Sequence, residues 1–163
     1  MKDIPGISIR HKIKPGDIGY IIYLHGILYD QEYGYDSSFE AYVAKYLTEF
    51  ASNIKAREKI WIIEKNDEIL GSMAIIEHKK SEAQLRWLLL HPDIRGRGLG
   101  KQLMDDAIAF CRAKDYSSIF LWTEDLLEPA AQLYKSRGFV LTEEKTHKIW
   151  GAKLTEQKYE LKL

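Results

Sequence analysis

Between Glu82 and Thr123 the sequence passes from a near-continuous apolar stretch, EAQLRWLLL, through HPDIRGRGLGK, into apolar residues at helical spacing, and out into SIFLWT. Unbroken apolar runs of this length mark strands buried on both faces. Leu99, Leu103, Ala107 and Phe110 recur on one helix face, so a helix is expected from the last glycines to about Lys114. A strand, a helix and a strand in this order close as a right-handed crossover, making Glu82–Leu90 and Ser118–Thr123 parallel neighbours. The glycines then lie where a helix starts above the end of a strand, a place where free backbone amides meet anions.

The remaining segments fill out a mixed sheet. Ile7–Arg10 reads as a short strand, and Pro15-Gly16-Asp17 starts a helix to about Glu32, Asp17 favouring its N-terminal dipole. Ser37 and Glu40 match a capping box that opens a second helix ending near Ala51. Glu58–Glu64 and Glu68–His78 flank Asn66-Asp67 as a hairpin. Pro129–Arg137 is a helix that Gly138 stops, followed by strands at Phe139–Lys145 and Gln157–Leu163, with Tyr159, Leu161 and Leu163 on one face. The expected architecture is a single α/β domain over residues 1–163, helices packed on a twisted sheet.

Charge excludes some functions. Lys and Arg number 24 and Asp and Glu 24, so no basic footprint for nucleic acid or an anionic membrane is present. The N-terminus lacks an apolar signal core, and no stretch is long enough to span a bilayer. With a single cysteine, Cys111, no internal disulfide forms; a cytoplasmic location is the expectation. Cys111 itself reads as a small buried residue.

Spacing separates three phosphate-binding patterns. A P-loop ending at Gly100-Lys101 requires glycine at 95 and a hydroxyl at 102, where Arg95 and Gln102 stand. A dinucleotide fingerprint from Gly96 and Gly98 requires glycine at 101, where Lys101 stands. Arg/Gln-x-x-Gly-x-Gly/Ala is met in full by Arg95 to Gly100. Downstream, AAQLYKSRGF (Ala130–Phe139) is Ala-x-x-Leu-Tyr-x-x-x-Gly-Phe.

Together these two stretches resemble the GNAT family of acyl-CoA-dependent N-acetyltransferases, over essentially the whole chain. The resemblance implies a mostly antiparallel sheet of about seven strands, a splayed central parallel pair and four flanking helices. It implies acetyl-CoA as co-substrate, no metal, and a small-molecule or peptide amine as acceptor. Carried onto this sequence, the loop Arg95, Gly96, Arg97, Gly98, Leu99, Gly100 and Lys101 holds the coenzyme A pyrophosphate. Leu88, Leu89 and Leu90 pair with the pantetheine arm beside a bulge, and Tyr134 protonates the leaving thiolate. Many members carry asparagine where this chain has Leu127, so that pantetheine bond is either missing or replaced by one from Thr123 or Glu124.

The N-terminal half and the late stretch KTHKIWGAKLTEQKYEL resemble the acetyltransferase half of bacterial proteins that fuse a MarR-type DNA-binding domain to a GNAT domain. The DNA-binding half is absent from this sequence, so no nucleic-acid role transfers. His25, Tyr29 and Glu32 share a helix face, which either forms a structural trio or lines a cleft for the acceptor. Tyr33 and Tyr35 extend an aromatic wall, and His147 and Trp150 close the far side. Arg86 has the strand parity of Leu88 and Leu90 and meets either an anionic acceptor group or a structural partner. The general base is open among Glu32, Glu77, His25, His147 and a water relay. A monomer and a homodimer are both compatible with the sequence. The rival to an enzyme is an acyl-CoA-binding or sensing domain that keeps the cleft without turnover.

Overall fold

The computed structural model describes residues 5–163. Strand β1 (Ser8–Arg10) is followed by α1 (Asp17–Tyr33) and α2 (Ser37–Ser52). Strands β2 (Lys59–Lys65), β3 (Glu68–Lys79) and β4 (Glu82–Leu90) form a meander. A short 3₁₀ turn at Pro92–Ile94 leads into α3 (Leu99–Ala113) and β5 (Ser118–Glu124). Helix α4 (Glu128–Ser136) and the hairpin β6 (Val140–Ile149) and β7 (Ala152–Lys162) complete the chain. The seven strands lie in the order β1-β2-β3-β4-β5-β7-β6, every pairing antiparallel except β4 with β5. No helix among the described residues is long and apolar enough to cross a membrane.

Two cores sandwich the sheet. Helices α3 and α4 cover one face, where Leu103, Met104, Ala107 and Cys111 pack on Trp61, Ile63, Met73, Ile75 and Ile119. Helices α1 and α2 cover the other, where Ile21, Leu24, Val43 and Leu47 pack on Ile60, Ile62 and Ala74. The alternation within β2 sends Ile60 and Ile62 to one core and Trp61 and Ile63 to the other, which is why IWII is apolar without a break. The β2–β3 turn sits at Asn66-Asp67, with φ of 52° and 63°, the left-handed pair a two-residue hairpin needs.

Three expectations are corrected. The cap of α2 is Asp36, whose side chain accepts from the Ser38 N–H at 2.9 Å, so Ser37 is the first helical residue and no Ser37–Glu40 box forms. The β6–β7 hairpin runs several residues further at its turn end than its apolar pattern suggests, because β6 is an almost wholly exposed edge. Most consequentially, the bulge in β4 falls between Arg86 and Leu89, which changes the parity expected for Arg86. Ser72 and Ala74 of β3 face Leu89 and Arg86 of β4, so β4 carries one extra residue there. Trp87, within the bulge, has φ of 52° and gives its carbonyl to the Ser72 hydroxyl at 2.8 Å. The bulge reverses strand parity. Leu85 joins the α3–α4 core that Leu88 and Leu90 pack against, whereas Arg86 turns to Tyr42 and Tyr46 on α2. Arg86 therefore does not share a face with Leu88 and Leu90.

Candidate active site

Strands β4 and β5 pair over only three residues each, Glu82–Gln84 with Ser118–Phe120. Beyond that point the bulge bends β4 away and the strands splay. The gap opens into a cleft of about 440 Å³ that runs from the glycine loop to the aromatic side chains of α1 and α2. On the β5 side of β4 no ladder partner remains for residues past Gln84, so that edge presents its backbone groups to the cleft. The Leu90 carbonyl is the exception, accepting from Arg95 Nε at 2.7 Å.

At the donor end the loop is a glycine cradle. Gly96 and Gly98 have φ of 74° and 80°, a left-handed conformation that favours glycine. Gly98 caps α3 with no side chain, and the first bond into the helix is Gln102 N–H to Gly98 O at 3.1 Å. The amides of Leu99, Gly100 and Lys101 are thus uncapped at a helix N-terminus, where an anion is favoured. Gly96, Gly98, Gly100 and Lys101 line the cleft; Arg97 is exposed outside it and Leu99 buries its side chain in the core. Arg95 is held differently from a free cationic rim: its guanidinium grips both Glu32 carboxylate oxygens at 2.7 and 2.8 Å, tying the loop to α1. Leu88, Leu89, Leu90 and Thr123 all line the gap. The Thr123 hydroxyl is buried there without a protein partner, so it is free to bond a ligand. Leu127 lines the cleft at the N-cap of α4 and offers no cap bond.

Tyr134 approaches the gap from α4. Its ring packs near Phe139 and Tyr159 at centroid distances of 6.1 and 6.0 Å, and its hydroxyl bonds no protein group among the described residues. Burial, followed by the nearby Glu124 carboxyl, holds the phenol well above its ordinary range, so it stays protonated. Cys111 is buried in the core and its thiol is pushed up to about 12, chiefly by desolvation, which removes it as a nucleophile.

The acceptor end is aromatic. His25, Tyr29, Glu32 and Tyr33 of α1 line it together with Tyr42, Arg86 and Trp150. Trp150 reaches it because its carbonyl accepts from the Asp36 N–H at 2.9 Å, pinning the β6–β7 turn onto the start of α2. His25 lies 2.8 Å from the Ile21 carbonyl through Nδ1, which assigns the proton to that nitrogen. Burial drops its pKa to about 4, so the imidazole is neutral. Arg86 lies over the Tyr46 and Trp87 rings at 4.7 and 4.8 Å and donates to the Tyr42 hydroxyl at 3.1 Å. None of the ion pairs among the described residues includes it. His147 does not line the cleft; it stands 2.7 Å from Glu156, which does. Glu77 is also outside, bonded to Arg57 at 2.9 Å.

The family profile described as the Acetyltransferase (GNAT) family matches residues 22–139. The chain belongs to the GNAT acetyltransferase family. Among curated relatives, rat (Rattus norvegicus) N-acetyltransferase 8F1 is 28% identical over 96 residues, covering 56% of this chain and 43% of that protein. The chain thus spans less than half the length of that relative. An acetyltransferase from Streptococcus agalactiae superposes with a TM-score of 0.76 at 19% identity, over 98% of this chain and 100% of that one. Spermidine N-acetyltransferase from Vibrio cholerae, solved with CoA and spermine, gives 0.71 at 16% identity over 96% and 95%. At such identities the structural likeness speaks for the fold, and it agrees with the splayed, seven-stranded GNAT architecture.

Membership gives the donor end a sense. The residues present fit an acyl-CoA: uncapped amides and Lys101 suit a pyrophosphate, the open β4 edge suits an amide-bearing arm, and the Thr123 hydroxyl is an unused partner. Two further cleft residues carry no sequence motif. Glu124 and Glu156 are neighbours across β5 and β7, and only their shared register reveals that.

Proposed function

We propose that this GNAT protein transfers the acetyl group of acetyl-CoA directly to a primary amine of a small molecule or peptide. The observation that carries the reading is the convergence of three features on one gap. An uncapped glycine-rich helix start, an unpaired β4 edge and Tyr134 all line the cleft where β4 and β5 part. An acetyl-CoA held along the open edge would have its thioester between Tyr134 of α4 and the acceptor end of the cleft. The amine lone pair attacks the carbonyl carbon, and backbone N–H groups around Leu88–Leu90 stabilise the oxyanion. The carbon–sulfur bond then breaks and the sulfur takes a proton from Tyr134, a group kept neutral by its burial. Donor and acceptor reach the gap from opposite ends, which supports direct transfer without an acyl-enzyme.

The names of similar proteins agree with amine acetylation, and the acceptor walls set its terms here. Tyr29, Tyr33, Tyr42 and Trp150 offer flat apolar surface, and Arg86 offers a cation to an anionic part of the acceptor. The test is release of free thiol from acetyl-CoA with a panel of amines, polyamines, amino acids and peptides. Acceptor-dependent release with a matching acetylated product supports the proposal. Tight acetyl-CoA binding without turnover on any acceptor contradicts it and favours a sensing domain.

A further inference from the structure

The acceptor end holds one buried carboxyl that no cation neutralises. Glu124 ends β5 and is 9% exposed. Ile119 and Leu121 point into the α3–α4 core, so alternation along β5 turns Glu124 to the α1–α2 face, the acceptor side. Across the ladder its partner is Glu156, and Leu154 on the same β7 face belongs to the α1–α2 core, which confirms the direction. The groups that face Glu124 come from every element around it. They are Glu156 on β7, the adjacent Asp125, Tyr29 and Tyr33 on α1, Tyr35 before α2, Tyr42 on α2 and Tyr134 on α4. Each of these is acidic or phenolic; the neutral His25 of α1 and Arg86 of β4, which donates to the Tyr42 hydroxyl, also line the cleft. Among the described residues no lysine or arginine forms an ion pair with Glu124, while Glu156 has His147 at 2.7 Å.

Tyr134 thus reaches the β4–β5 gap from the α4 side and Glu124 from the opposite side. Resting on the acetyltransferase reading, we propose that Glu124 is the general base, accepting a proton from the acceptor's ammonium group, and that Glu156 is a positioning residue beside it. The protons balance. An aliphatic amine arrives as R–NH3+ and gives one proton to the Glu124 carboxylate, leaving R–NH2. Its lone pair forms the new carbon–nitrogen bond, the carbon–sulfur bond breaks, and its electron pair goes to sulfur. Sulfur takes a proton from Tyr134, and the second N–H proton, lost as the amide forms, returns to the Tyr134 phenolate. Glu124 returns its proton to water when product leaves.

The neighbourhood suits the task. Desolvation, then Glu156, then Asp125 push the Glu124 carboxyl up to about 8, near the working range of a base at neutral pH. The competing candidates are less well placed. Glu32 is gripped by Arg95, which lowers its pKa, and His25 sits near 4. Because the base acts as carboxylate, kcat/KM is expected to rise with pH, reach half its plateau near pH 8 and stay level until the acceptor's ammonium group itself titrates.

The test is E124Q, an isosteric change that removes a like-charged group and so does not threaten the fold. Expected are a fall in kcat of about 10²–10⁴-fold, the range of general base catalysis, near-unchanged acetyl-CoA affinity and loss of the rise near pH 8. E156Q is the second variant: it moves the rise to lower pH, because a like charge is gone. Side-chain carboxyl NMR reads the same shift without turnover. The inference is overturned if E124Q keeps turnover within about threefold of wild type, a loss far below that range, or if E156Q leaves the midpoint in place. A wild type that binds acetyl-CoA but acetylates no amine overturns the underlying acetyltransferase reading and this inference with it. An active wild type with an unaffected E124Q overturns this inference alone.

Discussion

Replacing Tyr134 by phenylalanine isolates one hydroxyl. The side chain is 6% exposed, and its ring packs near Phe139 and Tyr159, contacts that phenylalanine keeps. The hydroxyl bonds no protein group among the described residues, so its removal leaves no partner stranded. Folding stability is therefore expected to change by less than about 1 kcal/mol, in the stabilising direction if at all. Turnover is another matter. A positioned general acid contributes about 10²–10⁴-fold, or about 3–5 kcal/mol of barrier. The assay is steady-state thiol release by wild type and Y134F, with acetyl-CoA affinity by calorimetry and Tm by thermal scan. Expected are a kcat lowered at least about a hundredfold, affinity within about twofold and an unshifted Tm. The raised pKa adds a check: Tyr134 stays protonated, so wild-type activity shows no alkaline decline from this group up to about pH 10, the ordinary phenol value. Turnover within about threefold of wild type refutes the proton-donor argument, since general acid catalysis is worth far more. An equal loss in affinity and turnover assigns Tyr134 to packing instead.

Three other perturbations read different parts of the site. Gly98→Ala forces a left-handed conformation on alanine, at about 1–2 kcal/mol and a Tm lower by about 2–8 °C; its Cβ meets no protein atom within 4 Å. Acetyl-CoA affinity should fall at least about tenfold, about 1.4 kcal/mol, whereas Gly34→Ala, with the same strain at φ of 70° outside the cleft, should leave affinity unchanged. His25 is neutral with a pKa near 4, below its unfolded value of 6.5, so its stability contribution is full above pH 6.5 and lost as pH falls toward 4. That loss is about 3 kcal/mol in denaturant titrations, and His25→Gln should abolish the limb. Arg86→Ala should raise KM about tenfold for acceptors bearing a carboxylate and leave neutral amines nearly unaffected, about the effect of one charge-assisted bond; equal effects on both refute an anion-binding role.

The donor end was legible because its signals are local. A buried strand, three glycines in five residues and a helical apolar face stand consecutively in the sequence, and the structure keeps Glu82–Leu90 as β4 and the helix at Leu99–Ala113. The bulge was implied by the family resemblance, but its position was not legible. Nothing in LRWLLL marks Trp87 as the residue with a positive φ, and one extra residue reverses the direction of every side chain after it, which is why strand alternation alone puts Arg86 on the wrong face. The α2 cap was ambiguous because Asp36, Ser37 and Ser38 are all good caps, and only the carboxylate's reach to the Ser38 N–H decides among them. Long-range pairs left no trace at all. Arg95 and Glu32 are 63 residues apart, so Glu32 read as a free base candidate until the ion pair appeared. Glu124 and Glu156 carry no motif, and their adjacency follows from β5–β7 register alone.

The central claim is that the gap between β4 and β5 is an acyl-CoA site. Calorimetric titration of the wild-type protein with acetyl-CoA tests it most directly. Saturable one-to-one binding, competed by free coenzyme A and weakened by Gly98→Ala but not by Gly34→Ala, is the predicted result. Absence of saturable binding, or binding equally indifferent to both glycine variants, contradicts it.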